Sequence, residues 1–73
     1  MSSVDVDIFK ILLKNGKFPL YELSKMVCPG SGIALSVQRA IDKMKNQGLV
    51  VEKGHCVDLT TKGCERALLL VHG

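Results

Sequence analysis

Long apolar runs are scarce in this 73-residue chain. The longest, Ala67 to Val71, falls far short of the roughly 20 residues a membrane span needs. No basic, apolar, then small-residue pattern opens the sequence, so a secretory signal is not expected. Cysteine lacks any paired motif: Cys28, Cys56 and Cys64 stand 28 and 8 residues apart, with no CxxC. His55 and His72 complete no zinc spacing. Three reduced, packed cysteines are the expectation, with a Cys56–Cys64 bridge or a redox-sensing thiol as the alternatives. Internal repeats, low-complexity tracts and linkers are missing as well. On these absences a membrane, secreted or multidomain protein is not expected, and a single small domain over residues 1–73 is. Such a domain buries roughly 60% of its unfolded surface, so its stability is marginal.

What is present is an ordinary globular composition, 47% apolar and 23% charged. Ten Lys and Arg against seven Asp and Glu give a net charge of +3. That suits a nucleic-acid partner without demanding one. Catalysis is not expected, and neither is a cofactor or a metal. A nucleophile needs a base within reach and a third group to orient that base. His55 beside Cys56 is the one local pair, and adjacent strand residues point to opposite faces.

The apolar spacing predicts four helices. Val4, Ile8, Ile11 and Leu12 recur at i, i+4, i+7 and i+8, which puts one face on a helix over 3–15. Asp5 and Asp7 suit its positive end, and Gly16 stops it. Val6, Phe9 and Leu13 widen that surface beyond one stripe. Lys17-Phe18-Pro19 reads as an extended link. A second helix follows at about 20–27, with Leu20, Leu23 and Val27 inward. Cys28-Pro29-Gly30-Ser31-Gly32 then breaks the chain. The third helix is placed at about 32–47 behind a Ser31 cap, with Ile33, Val37, Ala40, Ile41 and Met44 on its apolar face. Gly48 ends it.

Beyond Gly48 the period changes to that of strands. Two short β-branched runs flank Gly54-His55, a Gly-X pair of the kind found in type II′ hairpins, so a hairpin is expected over 49–60. Leu49 and Val51 are expected to return to the core, and Leu59 to end the second strand inside. A last helix at about 61–72 is capped by Thr60 or Thr61, with Gly63 leaving room for a close neighbour. Leu68-Leu69-Leu70-Val71 is apolar on every side, more than one buried face requires.

Three fragments carry a family resemblance that spans residues 4–71. Leu20-Tyr21-Glu22-Leu23-Ser24 resembles the opening of the second helix in MarR-like regulators. Val37-Gln38-Arg39-Ala40-Ile41-Asp42-Lys43-Met44, running into Gln47-Gly48-Leu49-Val50, is similar to their recognition helix. Leu59-Thr60-Thr61-Lys62-Gly63 matches the segment that leaves their wing. The chain thus resembles a minimal winged helix-turn-helix regulator of the archaeal or viral type. The resemblance implies a mostly helical α+β fold of three helices, a two-stranded wing and a C-terminal helix. It also implies a cytoplasmic, nucleoid-associated transcription regulator. Three features depart from the family: the Pro29-containing turn is long, the wing is short, and neither an effector domain nor a long dimerisation arm is expected.

That resemblance assigns the outward face of the third helix to double-stranded DNA. Ser36, Gln38 and Arg39 are the expected base readers, because the N-terminal part of such a helix reaches base edges. Leu35 shares that face. Ser31 is placed at a phosphate, Lys43 at the backbone, and Lys53 and His55 at the neighbouring groove. Asp42 is expected to pair with Arg39 or Lys45. The field is mild, since residues 31–55 hold four cations against two anions. Doubling the contacts in a homodimer offsets this, and Val6, Phe9, Leu13, Leu69 and Leu70 are its expected interface. The competing expectation is a protein-interaction module on the same fold.

Overall fold

A computed structural model describes residues 3–30 and 32–72, and the side chains of all of these except His72. The elements run α1 (Ser3–Asn15), β1 (Phe18–Pro19), α2 (Leu20–Val27), α3 (Leu35–Asn46), β2 (Val50–Lys53), β3 (Cys56–Leu59) and α4 (Thr61–His72). This is a mostly helical α+β architecture, with four helices beside one antiparallel sheet of order β1-β3-β2. Among the described residues no helix is long and apolar enough to cross a membrane.

Helix α1 has the expected ends but a slightly rotated face. Its buried stripe is Asp5, Ile8, Phe9 and Leu12, the i, i+3, i+4 and i+7 set, while Val4 and Ile11 are only half-buried. The Asp5 carboxylate, 2% exposed, accepts from Lys43 Nζ of α3 at 2.8 Å. A short ion pair therefore fastens α1 to α3. Helix α2 also keeps its expected bounds. Leu20 and Leu23 enter the core, and Ser24 is buried with them where Val27 is half-buried. Ser24 Oγ accepts the Ala34 N–H at 2.8 Å, across the turn.

Helix α3 starts later than the apolar spacing predicts. Gly32 takes φ +76°, Ala34 is the N-cap in extended conformation, and the helix opens at Leu35. Ile33 therefore lies outside the helix and is exposed, while Val37, Ala40, Ile41 and Met44 hold the core as expected. The expected cap, Ser31, lies outside the described residues. At the other end, Gly48 takes φ +73° and the chain closes a Schellman motif. The Gly48 N–H donates to Lys45 O at 3.0 Å, and the Leu49 N–H donates to Met44 O at 2.8 Å.

That motif also corrects the strand register. Leu49 is buried to complete the helix end, so strand alternation begins only with Val50. Val50 is 2% exposed and points inward, whereas Val51, expected in the core, is 40% exposed. Leu59 is half-buried against the core, opposite Val50. Gly54 has φ +62° and His55 has none of the positive-φ character a type I′ turn needs, which leaves the expected type II′ hairpin. The expected link at Phe18-Pro19 is instead a third strand, pairing Phe18 with Val57 and Pro19 with Cys56. Pro19 is tolerated because β1 lies at the sheet edge.

Thr60 caps α4. Its Oγ accepts the Gly63 N–H at 3.0 Å and donates to Gly48 O at 2.6 Å. Gly63 lies directly against the Leu49 backbone, where any Cβ meets the Leu49 carbonyl. Ala67 completes the core from α4. The three cysteines are half-buried and free, with no Cys56–Cys64 bridge.

Candidate nucleic-acid interface

With four inward residues fixed, the turn of the helix fixes the rest of α3. At about 3.6 residues per turn, Leu35, Arg39, Asp42 and Asn46 form a crest opposite the core. Ser36 and Lys43 fall on the flank toward α1, and Gln38 and Lys45 on the flank toward the β2–β3 hairpin. The crest begins with an apolar side chain, since Leu35 is 64% exposed. Arg39 is exposed just behind it.

Both flanks are tied down. Lys43 holds Asp5, as above, and is still half in solvent. Lys45 Nζ donates to Glu52 Oε1 at 3.1 Å. Glu52 reaches α3 because it shares the inner face of β2 with Val50. Asp42 takes neither expected partner: its Oδ1 accepts the Gln38 amide at 3.0 Å. Among the described residues, Arg39 is therefore the α3 cation in no ion pair. Lys43, expected at a DNA backbone, also has a structural duty.

The hairpin presents Lys53 and His55 to solvent. Its tip is drawn onto the body, because the Leu20 N–H donates to His55 O at 2.8 Å. Two shallow clefts flank α3. One of about 300 Å³ is lined by Asp5, Ser36, Arg39, Ala40 and Lys43. The other, about 380 Å³, gathers Leu20, Tyr21, Ile33, Gln38, Glu52 and His55. The expected site residues are thus split. Ser36, Arg39 and Lys43 meet in the first cleft, Gln38 and His55 in the second, and Leu35 and Lys53 line neither. Ser31 lies outside the described residues.

Sequence reasoning missed two contributors. Tyr21 stands half-exposed in the second cleft with Lys25 Nζ 5.3 Å from its ring centre. Its place beside inward Leu20 on an amphipathic helix was a usable signal. Asp5 was read only as a charge at a helix end, and nothing local announces its pairing with a residue 38 positions away. On the expected dimer surface, Leu69 is 69% exposed and Leu68, not anticipated individually, is also exposed. Val6, Leu13 and Leu70 are half-buried. Phe9 is a correction: at 1% exposure it fills the core of its own chain and has nothing to offer a second copy.

Compared with family models, curated proteins and solved structures, the chain matches none.

Proposed function

We propose that this protein is a sequence-specific, double-stranded DNA-binding transcription regulator of the winged helix-turn-helix type, acting as a homodimer. The observation that carries the reading is α3 itself. One face is wholly core, and the opposite crest, opening on Leu35 and Arg39, stands clear at the helix's N-terminal half. A helix held this way from behind is suited to the major groove, where N-terminal residues meet base edges. The order helix, helix, helix, hairpin, helix is also what the MarR-like resemblance implies.

In this reading Leu35 packs on a thymine methyl, and the Gln38 amide leaves Asp42 for adenine N6 and N7. Lys53 and His55 approach the flanking backbone from the hairpin. Dimerisation around the exposed Leu68 and Leu69 of α4 doubles the contacts and places two α3 helices on half-sites one turn apart, about 34–36 Å. The protein then works in the cytoplasm, on the nucleoid.

The Leu35→Glu variant tests the reading. Leu35 is exposed, so the fold and melting temperature are expected to stay unchanged. Affinity for a selected duplex is expected to fall between about 5- and 150-fold, the worth of one base contact. Unchanged affinity in the folded variant removes α3 as the reading element. A second reading, a winged-helix protein-interaction module, draws on one observation. Two of the three α3 cations are already ion-paired, while Tyr21, Ile33 and Leu35 expose apolar surface around them.

A further inference from the structure

We propose that the cleft between the start of α1 and the flank of α3 seats one phosphodiester of a DNA backbone, and that Asp5 sets its strength. The proposal rests on the DNA-binding reading and says which residues grip the backbone rather than the bases. Ser36, Arg39, Ala40 and Lys43 line the cleft together with Asp5. On α3 they recur at i, i+3, i+4 and i+7, so they are neighbours on the side toward α1, from Arg39 at the crest to Ala40 at the core edge. Ala40 is small and nearly buried, so the helix dips there between three longer side chains. A hydroxyl, a guanidinium and an ammonium around a dip are a donor set for an oxyanion.

The charge count selects the kind of anion. Among the described residues that line the cleft, Arg39 and Lys43 against Asp5 leave one surplus positive charge. A phosphodiester carries one negative charge, whereas a phosphomonoester carries about 1.5 to 2. Lys43 gives one of its three donors to Asp5 and, being half-exposed, keeps the others for a ligand at the cleft mouth. On the opposite flank Lys45 is matched by Glu52, so α3 carries no surplus positive charge there. Arg39 is thereby assigned to the backbone and not to guanine.

The test is fluorescence anisotropy on a panel of labelled duplexes of different sequence, each at several salt concentrations. It compares the unaltered protein with Arg39→Ala, Asp5→Asn and Lys14→Gln. Arg39→Ala is expected to weaken every duplex alike and to lower the log–log salt slope by about one for each protomer, about two for the dimer. Asp5→Asn is expected to steepen the slope by about one for each protomer and tighten binding at low salt. Lys14→Gln removes a charge at the far end of α1 and is expected to leave the slope as it was. Arg39 is exposed, so its variant carries the test should Asp5→Asn fail to fold. If the unaltered protein binds but Arg39→Ala keeps its slope, loses affinity at one base position only, or matches Lys14→Gln, the cleft is not a phosphate seat and DNA binding stands. If the unaltered protein binds no duplex even at low salt, the DNA reading fails and the cleft proposal falls with it.

Discussion

The two ends of α3 are built on opposite principles. The C-terminal end is fastened by a run of hydrogen bonds. Gly48 and Leu49 close the Schellman motif, Thr60 donates to Gly48 O, the Thr60 N–H donates to Leu49 O at 3.0 Å, and Lys62 Nζ donates to Gln47 O at 3.1 Å. At the N-terminal end the cap residue is Ala34, which supplies no side-chain bond, and Leu35 faces outward without protein cover. One end is locked into the fold, and the other is open to solvent. On the proposed DNA-binding reading, the rigidity needed to present α3 comes from the end that does not touch the DNA.

Substitutions at the two ends should therefore differ in kind. The largest effect is expected from Gly63→Ala. In an ordinary helix this change stabilises by about 1 kcal/mol. Here the new methyl meets the Leu49 carbonyl, which is fixed from both sides, so a loss of at least about 3 kcal/mol is expected instead. Chemical denaturation reads the sign directly, and a gain in stability breaks the account of this corner. Next comes Thr60→Val, which keeps the shape but deletes the cap on Gly63 and the bond to Gly48. About 2 kcal/mol of stability should go, with no change in the side chains that α3 exposes.

The smallest effect lies at the open end. Ala34→Ser supplies the missing cap and should stabilise by about 0.5–1 kcal/mol in the same denaturation experiment. A large loss there would mean that the N-terminal end is as tightly built as the C-terminal one, and the comparison would collapse.

The same contrast explains what could be read from the sequence. Helices α1 and α2 end where Gly16 and Cys28-Pro29 say they must, because those signals are local. The C-terminal end of α3 was equally legible, since Gly48 permits the left-handed turn that closes the helix. Its start was not. Ser31-Gly32-Ile33 imitates a cap followed by a first core residue at the right distance from Val37. The true start is set by a bond from Ala34 to Ser24, ten residues earlier, and no local pattern encodes it.

Strand β1 was missed because two residues show no alternation, and its partner β3 lies far along the chain. The Val50 register was missed because Leu49 serves the helix end before the strand begins. For the candidate site, the crest of α3 followed from periodicity. The division of its polar residues between two clefts did not, since Asp5 and Glu52 reach α3 only through the packing of other elements.

The most direct test of the central claim is anisotropy of a labelled random-sequence duplex titrated with the unaltered protein at several salt concentrations. The account predicts binding that weakens steeply, with a log–log slope of several units, as a dimer making several phosphate contacts requires. Absence of binding even at low salt would contradict it and turn the exposed crest of α3 into a surface for another protein.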